Sequence, residues 1–308
     1  LSGEGLRIGY SILLSFPVIG VWLAYLLVGG NVPSEVTIPH MYAMHIYFIP
    51  FLIAGLMTLH LAIVWRQFHT NMPGPRRTNA TIVGSRLFPS YTAKTIGLFA
   101  ILFGFIAALG GLVQIDPVWV YGPYTPFAAV PGAQPDWYLG WIEGAMRLLP
   151  PINIRAGNRL VPNVFFAGIL FPLLVFLLAY IYPFVEQWLS FDRGNHHVLL
   201  MPYEQPINTA IGCTAFTFLL VLLFAGGDDV ILIALGGGSL VTIRAVLRTL
   251  ALVLPPLVGI FTYLICARMK RRRAPFHSPN DPISEAARVY FPGEPGPLPL
   301  DPGTSGSD

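Results

Sequence analysis

The stretch of sequence that decides the fold is residues 40–65, HMYAMHIYFIPFLIAGLMTLHLAIVW. A helix needs about 20 mostly apolar residues to cross the hydrocarbon core of a bilayer, and this stretch is longer than that. It also holds His45 and His60 at depths where an ionisable side chain is costly, and such residues are functional by default in a membrane segment. The stretch therefore predicts a transmembrane helix that carries a functional pair of histidines.

The two histidines are predicted to share one face of this helix. They are fifteen residues apart, which corresponds to roughly 22 Å along the axis and to an offset of only about 60° around it. A neutral imidazole is a good axial ligand for haem iron, so such a helix would present one metal ligand towards each side of the bilayer. The alternative is that each histidine hydrogen-bonds to a neighbouring helix, but two on one face favour haem. Pro50, which lies between them, is predicted to bend the helix.

The composition of the whole chain agrees with a membrane protein. Of the 308 residues, 54% are hydrophobic and only 11% are charged, and the mean hydropathy is +0.64. A soluble domain of this size needs more charge to cover its surface. The net charge is +3, but the Lys and Arg residues lie between apolar runs rather than along one continuous face. This pattern fits membrane orientation and argues against nucleic-acid binding.

Further apolar runs extend on both sides of the histidine helix. Residues 1–30 are apolar but are interrupted by Pro17 and Gly20, which predicts two short helices at the membrane surface, with a single spanning helix as the alternative. Residues 31–70 hold the first transmembrane helix, and residues 71–268 hold four more. The four further spans are predicted at about 95–114, 162–184, 207–226 and 245–267.

Two segments are not predicted to span the membrane. Residues 115–161 form a long loop rich in Pro, Gly and aromatic residues, which predicts a folded, functional segment at the membrane interface. Residues 269–308 hold a basic cluster followed by a tail rich in Pro, Gly and Ser, which we expect to be disordered. The predicted fold class is all-α integral membrane: a transmembrane helix bundle with interfacial helices and a disordered C-terminal tail.

The basic loops predict the orientation of the spans. The loop at 66–94 and the cluster at 268–273 are both rich in Lys and Arg, so both should face the cytoplasm. Four spans lie between them, which is the even number that two segments on the same side require. The loop at 115–161 then lies on the outer side of a multi-pass protein of the plasma membrane.

The histidine segment resembles a known family. The run from His45 to Pro50, followed by Leu59-His60-Leu61, resembles the fourth helix of cytochrome b of respiratory cytochrome bc complexes. The spacing of fifteen residues is similar to the chloroplast-type and actinobacterial-type branches, whereas the mitochondrial type is one residue shorter. The resemblance implies that His45 binds the low-potential haem near the outer side and His60 the high-potential haem near the cytoplasm.

The outer loop strengthens the resemblance. The run Pro135-Asp136-Trp137-Tyr138 resembles the family signature Pro-Glu-Trp-Tyr of the quinol-oxidation site, and Arg147-Leu-Leu-Pro follows at the family's offset. The resemblance implies that Asp136 and Tyr138 are catalytic and that Pro135 and Trp137 contact the quinol. A carboxylate beside the quinol ring can accept a proton, and aromatic side chains can exclude water.

Other charged residues are weaker candidates for the same chemistry. Glu143 stands where the mitochondrial pattern has a tyrosine facing the quinol pocket, so we expect it to be a second proton acceptor, with a solvated loop acid as the alternative. Arg66 and Lys94 are candidates for contact with quinone at the inner side, and charges that hold the cytoplasmic face are an equal alternative. The sequence leaves open whether Asp136 or Glu143 takes the proton.

The resemblance covers about residues 1–270 and begins with the surface helices that precede the fourth helix of cytochrome b. The family helix that carries the opposite haem ligands is not among the residues of this sequence. The chain begins at Leu1 without an initiator Met, so we expect it to be a fragment of a longer protein. The implied function is an electron-transferring subunit of quinol–cytochrome c reductase that oxidises quinol at the outer side, coupled to proton translocation. The implied cofactors are two b-type haems and a quinone, with menaquinone favoured.

The resemblance also implies partners. These are the N-terminal half of cytochrome b, a Rieske iron–sulfur subunit, a cytochrome c subunit with one or two haems, a terminal oxidase as a further candidate, and membrane lipid. The family suggests a homodimeric complex. The alternatives from other classes are a secondary transporter and a membrane subunit without cofactor, and a b-type haem spectrum would separate them from the favoured function.

Overall fold

The protein is described from a computed structural model that covers residues 2–32, 34–68, 70–74, 78–79, 86–112, 119, 137–157, 159–194 and 196–272. Two short helices come first, α1 (Ser2–Leu14) and α2 (Gly20–Val28). The long helices are α3 (Thr37–Gln67), α4 (Leu87–Leu112), α6 (Asn163–Ser190), α7 (Pro206–Gly226) and α9 (Leu240–Arg272). Shorter elements lie between them: α5 (Gly140–Leu148), a hairpin of β1 (Ile154–Ala156) and β2 (Arg159–Val161), and α8 (Asp228–Ala234).

The five long helices confirm the predicted fold class, an all-α membrane helix bundle. Each is long and apolar enough to cross a bilayer, and each contains one of the five predicted spans almost entirely. α9 is longer than predicted because its helix continues through the basic cluster to Arg272. α1 and α2 are two separate short helices, and their place at a membrane surface stays a prediction. The tail predicted to be disordered, beyond residue 272, lies outside the described residues.

Two of the spans contain a widened turn just before a proline. A π turn at Met44–Phe48 precedes Pro50 in α3, and another at Phe166–Leu170 precedes Pro172 in α6 at the same distance. Proline has no N–H to donate, and its ring clashes with the carbonyl group one turn earlier in a regular α-helix. A turn with one more residue relieves this clash, so both helices continue through the proline.

The packed core lies where the start of α6, the end of α7 and the start of α9 meet, and α5 lies against α7 there. The buried residues of this core are Ala145, Leu148, Val221, Leu222, Ala225 and Leu247. α5 can approach α7 closely because Gly140 and Gly144 face Gly226. Small residues spaced four apart let two helix backbones come into contact, as in membrane helix pairs.

α3 and α4 differ from the other spans because they are not packed into this core. No residue within the most apolar part of either helix is buried among the described residues, whereas α6, α7 and α9 each contribute buried residues. Their faces are therefore available to lipid or to other helices.

Contacts between the loops agree with the predicted number of crossings. The amide of Asn71 donates to the carbonyl of His197 at 2.7 Å, and the side chain of Asn79 accepts from the amides of His197 and Val198. These contacts join the loop after α3 to the loop after α6, which the four-span argument places on the same side. Which of the two sides faces the cytoplasm stays a prediction.

The sequence did not predict the short elements. α5 and the β-hairpin lie within the loop at 115–161, and α8 lies between the last two spans. The hairpin turns at Gly157, whose φ of +62° suits a residue without a side chain. α8 begins with Asp228 and Asp229, and acidic residues are favourable in the first turn of a helix.

Candidate functional site

The two predicted haem ligands lie on α3, one in its widened turn and one in its regular part. His45 belongs to the π turn, where the amide of Ile49 donates to the carbonyl of Met44, and His60 lies further along the same helix. Each residue of a π turn advances through a smaller angle than in an α-helix, so the turn reduces the offset of about 60° expected for a regular helix. The backbone therefore brings the two positions closer to one line along the helix.

Both imidazoles are exposed and unengaged within the part of the chain that the structure describes. Neither ring has a hydrogen-bond partner among the described residues, and both residues are exposed. His40 behaves differently, because its Nε2 lies 2.9 Å from the carbonyl oxygen of Leu26 and so connects α3 to α2. The donor set of α3 fits two metal ions with one imidazole each, and it does not complete the coordination of either.

An apolar cavity lies beside the turn that holds His45. It has a volume of about 670 Å³ and lies between α1, α2 and the start of α3. Met44, the first residue of the turn that holds His45, and Ile49, the residue after that turn, line the cavity together with Gly5, Gly9 and Tyr10 of α1. An apolar cavity of this size next to a predicted haem ligand is a suitable environment for a hydrophobic cofactor or substrate.

On the side that is predicted to be the outer one, charged side chains from three helices meet. We call this group the outer cluster, and it consists of Glu143 and Arg147 of α5, Asp228 and Asp229 of α8, and Arg244 of α9. Nε and Nη2 of Arg147 donate to Oε1 of Glu143 at 3.1 and 2.6 Å. Nη1 of Arg147 donates to Oδ1 of Asp228 and, at 2.9 Å, to Oδ1 of Asp229. Nε of Arg244 donates to Oδ2 of Asp228 at 2.6 Å.

The electrostatics of the outer cluster keep Arg147 charged. Burial by itself disfavours the charged guanidinium, but hydrogen bonds to Asp229 and Glu143 and the nearby charges of Glu143 and Asp228 outweigh that effect. The pKa of Arg147 is therefore raised above its ordinary value. The buried carboxylate of Asp228 is paired with a guanidinium at each of its oxygens, so it is not an isolated buried charge.

Glu143 is held through only one of its two oxygens. Both donors from Arg147 go to Oε1, and Oε2 accepts no hydrogen bond within the described part of the chain. The side chain of Glu143 is 22% exposed. The arrangement leaves one oxygen of an anchored carboxylate able to accept a proton from another molecule.

The aromatic residues of the predicted quinol motif come directly before α5. Trp137 and Tyr138 lie in a short 3₁₀ turn, both are exposed, and their rings are in edge-to-face contact with centroids 6.1 Å apart. Pro135 and Asp136 lie outside the described residues. The structure thus brings Trp137, Tyr138 and Glu143 into one continuous segment, and it leaves the position of Asp136 untested.

The inner-side candidates are less informative. Arg66 is in the last turn of α3 and Lys94 is near the start of α4. Both are exposed, and neither has a hydrogen-bond partner among the described residues. Their contact with a quinone stays a prediction.

Sequence reasoning missed Asp228, the buried centre of the outer cluster. The sequence did contain a signal for it, because Asp228 and Asp229 are adjacent acids between two apolar runs. The four-span argument places them on the same side of the membrane as Arg147. A buried acid needs a partner, but the pairing with Arg147 joins residues 81 positions apart. Only the packing of α8 against α5 shows it.

Comparisons with known proteins point to one family. A family model described as cytochrome b (N-terminal)/b6/petB matches residues 1–123. A cytochrome bc1 complex cytochrome b subunit from Mycobacterium bovis is 40% identical over 272 residues, which are 88% of this chain and 49% of that protein. Proteins with the same name from Corynebacterium diphtheriae and Streptomyces coelicolor are 38% and 40% identical, over 88% and 74% of this chain and 50% and 42% of theirs.

These relatives are actinobacterial, which is one of the two branches that the spacing of the histidines resembles. The chain spans about half the length of the curated relatives it matches. Its five apolar helices fit a protein that crosses the membrane several times. The relatives match 88% of this chain, and on this evidence the chain is a multi-pass membrane protein that belongs to the cytochrome b family.

Proposed function

We propose that this chain serves as the haem-ligand helix and outer quinol site of a quinol–cytochrome c reductase. It would oxidise quinol at the outer side and pass electrons across the membrane through two b-type haems, coupled to proton translocation. The observation that carries the proposal is the pair of exposed, unengaged imidazoles on one face of α3. The printed names of the relatives, subunits of cytochrome bc1 complexes, support the same activity.

His45 and His60 would each hold one haem through a neutral imidazole nitrogen. When bound, the two haems supply one-electron transfer between the two sides of the bilayer. The role of α3 is to fix the distance and direction between the two ligand positions, which the π turn and Pro50 adjust. The remaining haem ligands would come from other helices, which makes the N-terminal half of cytochrome b the first required partner.

At the outer side, carboxylates would take the protons of the quinol. Asp136 and Glu143 are the two candidates, and Glu143 is supported by its open Oε2 and by the hydrogen bonds that fix its Oε1. Trp137 and Tyr138, with Pro135, would line the ring of the quinol and exclude water. General base catalysis needs the base within hydrogen-bond reach of the proton, so an anchored carboxylate is better placed than a freely rotating one.

The remaining assignments follow the resemblance. Menaquinol is the proposed substrate, and Arg66 and Lys94 are proposed to contact quinone at the inner side of the plasma membrane. The proposed partners beyond the N-terminal half are a Rieske iron–sulfur subunit, a cytochrome c subunit with one or two haems, a terminal oxidase, and a second copy of the complex. In this proposal residues 1–30 lie at the surface, residues 31–70 hold the haem ligands, and residues 71–268 complete the bundle.

The experiment is quinol-dependent reduction of cytochrome c by the purified complex, with a reduced-minus-oxidised absorption spectrum of the same sample. We expect a b-type haem band in the parent. We expect Asp136→Asn and Glu143→Gln to slow turnover modestly and the double variant to lose more than the product of the two, approaching roughly 10²-fold.

The control is Glu35→Gln, which removes an exposed acid that precedes α3. It should leave turnover unchanged, and all four variants should keep the full haem content. A parent complex without a b-type band would exclude the proposed function and favour a transporter or a subunit without cofactor. A double variant that turns over like the parent would show that neither carboxylate is the base.

A further inference from the structure

The outer cluster is built around a carboxylate that solvent does not reach. Asp228 is 0% exposed, and each of its oxygens accepts from a different guanidinium, Oδ1 from Arg147 and Oδ2 from Arg244. With both oxygens engaged, the carboxylate cannot rotate without breaking an ion pair in a buried site, where such a loss is costly. Asp228 is therefore a fixed point to which Arg147 is attached.

Arg147 connects Asp228 to Glu143, because its guanidinium donates hydrogen bonds to both carboxylates. Its guanidinium is planar and has five N–H donors in a rigid fork, so the direction of one edge sets the direction of the other. One edge faces Asp228 and Asp229, and the opposite edge, Nε and Nη2, grips Oε1 of Glu143. The side chain of Arg147 is only 16% exposed, which leaves it little room to move.

We infer that Asp228 is a positioning residue for proton acceptance by Glu143, acting through Arg147. This inference rests on the proposed function, because it assumes that Glu143 accepts a quinol proton. In that step the quinol O–H bond breaks, the proton binds Oε2 of Glu143, and the electrons leave by the proposed haem and Rieske routes. Asp228 touches neither the quinol nor the proton, and its effect is to keep Oε1 held and Oε2 free.

The charged groups around Glu143 come from three helices. Arg147 lies on its own helix, Asp228 and Asp229 lie on α8, and Arg244 lies on α9. Arg248 of α9 also faces this region, but its Nε donates to the carbonyl of Leu148 at 2.8 Å, and it forms no ion pair among the described residues. Among the hydrogen bonds of the described residues, those that link Asp228 to Glu143 pass through Arg147.

The experiment is a double-mutant cycle between Asp228→Asn and Glu143→Gln in the assembled complex. If Asp228 acts through Glu143, the two changes are not additive. We expect Asp228→Asn to lower kcat for quinol oxidation about fivefold, and by no more than Glu143→Gln does, because a small misplacement of a catalytic group costs rate. KM should stay within about twofold, and in the Glu143→Gln background the same change should cost less than about twofold.

Asp229→Asn is the matched control. Asp229 is the next residue and contacts the same Nη1 of Arg147, but its side chain is 34% exposed, whereas Asp228 is fully buried. Its loss should lower kcat less than about twofold, as expected for a partly exposed ion pair. Haem content measured by absorption reports assembly in each variant.

Arg147→Lys is the second variant, because a single ammonium group cannot grip Asp228 and Glu143 through two edges. It should repeat the loss of kcat and the dependence on Glu143. The inference would be overturned if Asp228→Asn lowered kcat equally in the parent and in the Glu143→Gln background. It would also be overturned if both Asp228→Asn and Arg147→Lys lost the haem-loaded complex, because that would mean a structural role. A parent complex that does not oxidise quinol would instead refute the proposed function.

Discussion

Replacing Gly144 with alanine tests whether the close approach of α5 to α7 holds the outer cluster in place. A Cβ at this position would run into the carbonyl oxygen of Leu222 and would lie 2.7 Å from the carbonyl carbon of the same residue. It would also lie 3.0 Å from the amide nitrogen of Gly226. These are backbone atoms of a packed helix, so they cannot turn aside as a flexible side chain would.

The expected loss of stability combines two opposing effects. Overpacking typically costs about 1–3 kcal/mol, and a backbone obstacle puts this change at the upper end of that range. The better helix propensity of alanine offsets about 1 kcal/mol. The net loss in the free energy of unfolding should be about 2 kcal/mol. Because α5 must move away from α7, Glu143 and Arg147 should be displaced and turnover should fall as well.

The assay is the midpoint of thermal unfolding of the assembled complex in detergent at one heating rate, with quinol oxidation measured on the same sample. Gly212→Ala is the matched control, because Gly212 lies on α7 and a Cβ there meets no atom within 4 Å. That variant should be neutral or stabilised by up to about 1 kcal/mol. A Gly144→Ala complex as stable and as active as the Gly212→Ala complex would refute the reasoning.

Three further predictions address the haem ligands, the topology and the inner loop. Replacing His45 should remove the haem nearer the outer surface and replacing His60 the haem nearer the cytoplasm, each seen as loss of one b component in the spectrum, and full haem content in both variants would contradict the assignment. Impermeant labels should modify the 66–94 loop and the 268–273 cluster only from the cytoplasmic side, and labelling of either from outside would contradict the orientation. The hydrogen bond that the backbone amide of Gly194 donates to Asp192 lowers the pKa of Asp192, with a smaller contribution from His196. This hydrogen bond is therefore fully formed above the ordinary pKa of an Asp, and it is lost as the pH falls through the lowered pKa. Hydrogen exchange should show protection of that amide at neutral pH and its loss in acid, and the same protection in Asp192→Asn would contradict this.

The membrane class, the five spans and the histidine pair were predictable because the information is local in the sequence. A spanning helix satisfies its backbone hydrogen bonds within itself, so length and apolar character are enough to find it. His45 and His60 belong to one helix, and their common face follows from the helical repeat. The motif around Trp137 and Tyr138 is also contiguous, so it could be compared with a family directly.

The shape of α3 was only partly predictable. Pro50 indicated a bend, but nothing in the residues showed that the chain would relieve the proline with a π turn at Met44–Phe48. That choice depends on how a whole turn rearranges its hydrogen bonds. It changes the angle between the two histidines, which a count at 100° per residue does not include.

The sequence by itself determined that this chain crosses a membrane several times, with His45 and His60 on one helix and the quinol motif outside it. Only the tertiary structure decided that Asp228, in the short segment before the last span, is buried and paired with Arg147 of α5, which in turn donates to one oxygen of Glu143. The physical reason is that hydropathy describes each helix against its solvent, whereas an ion pair depends on two side chains from different helices. Packing between the glycines of α5 and α7 brings those helices together, and no local pattern specifies the partner of a charge so far away along the chain.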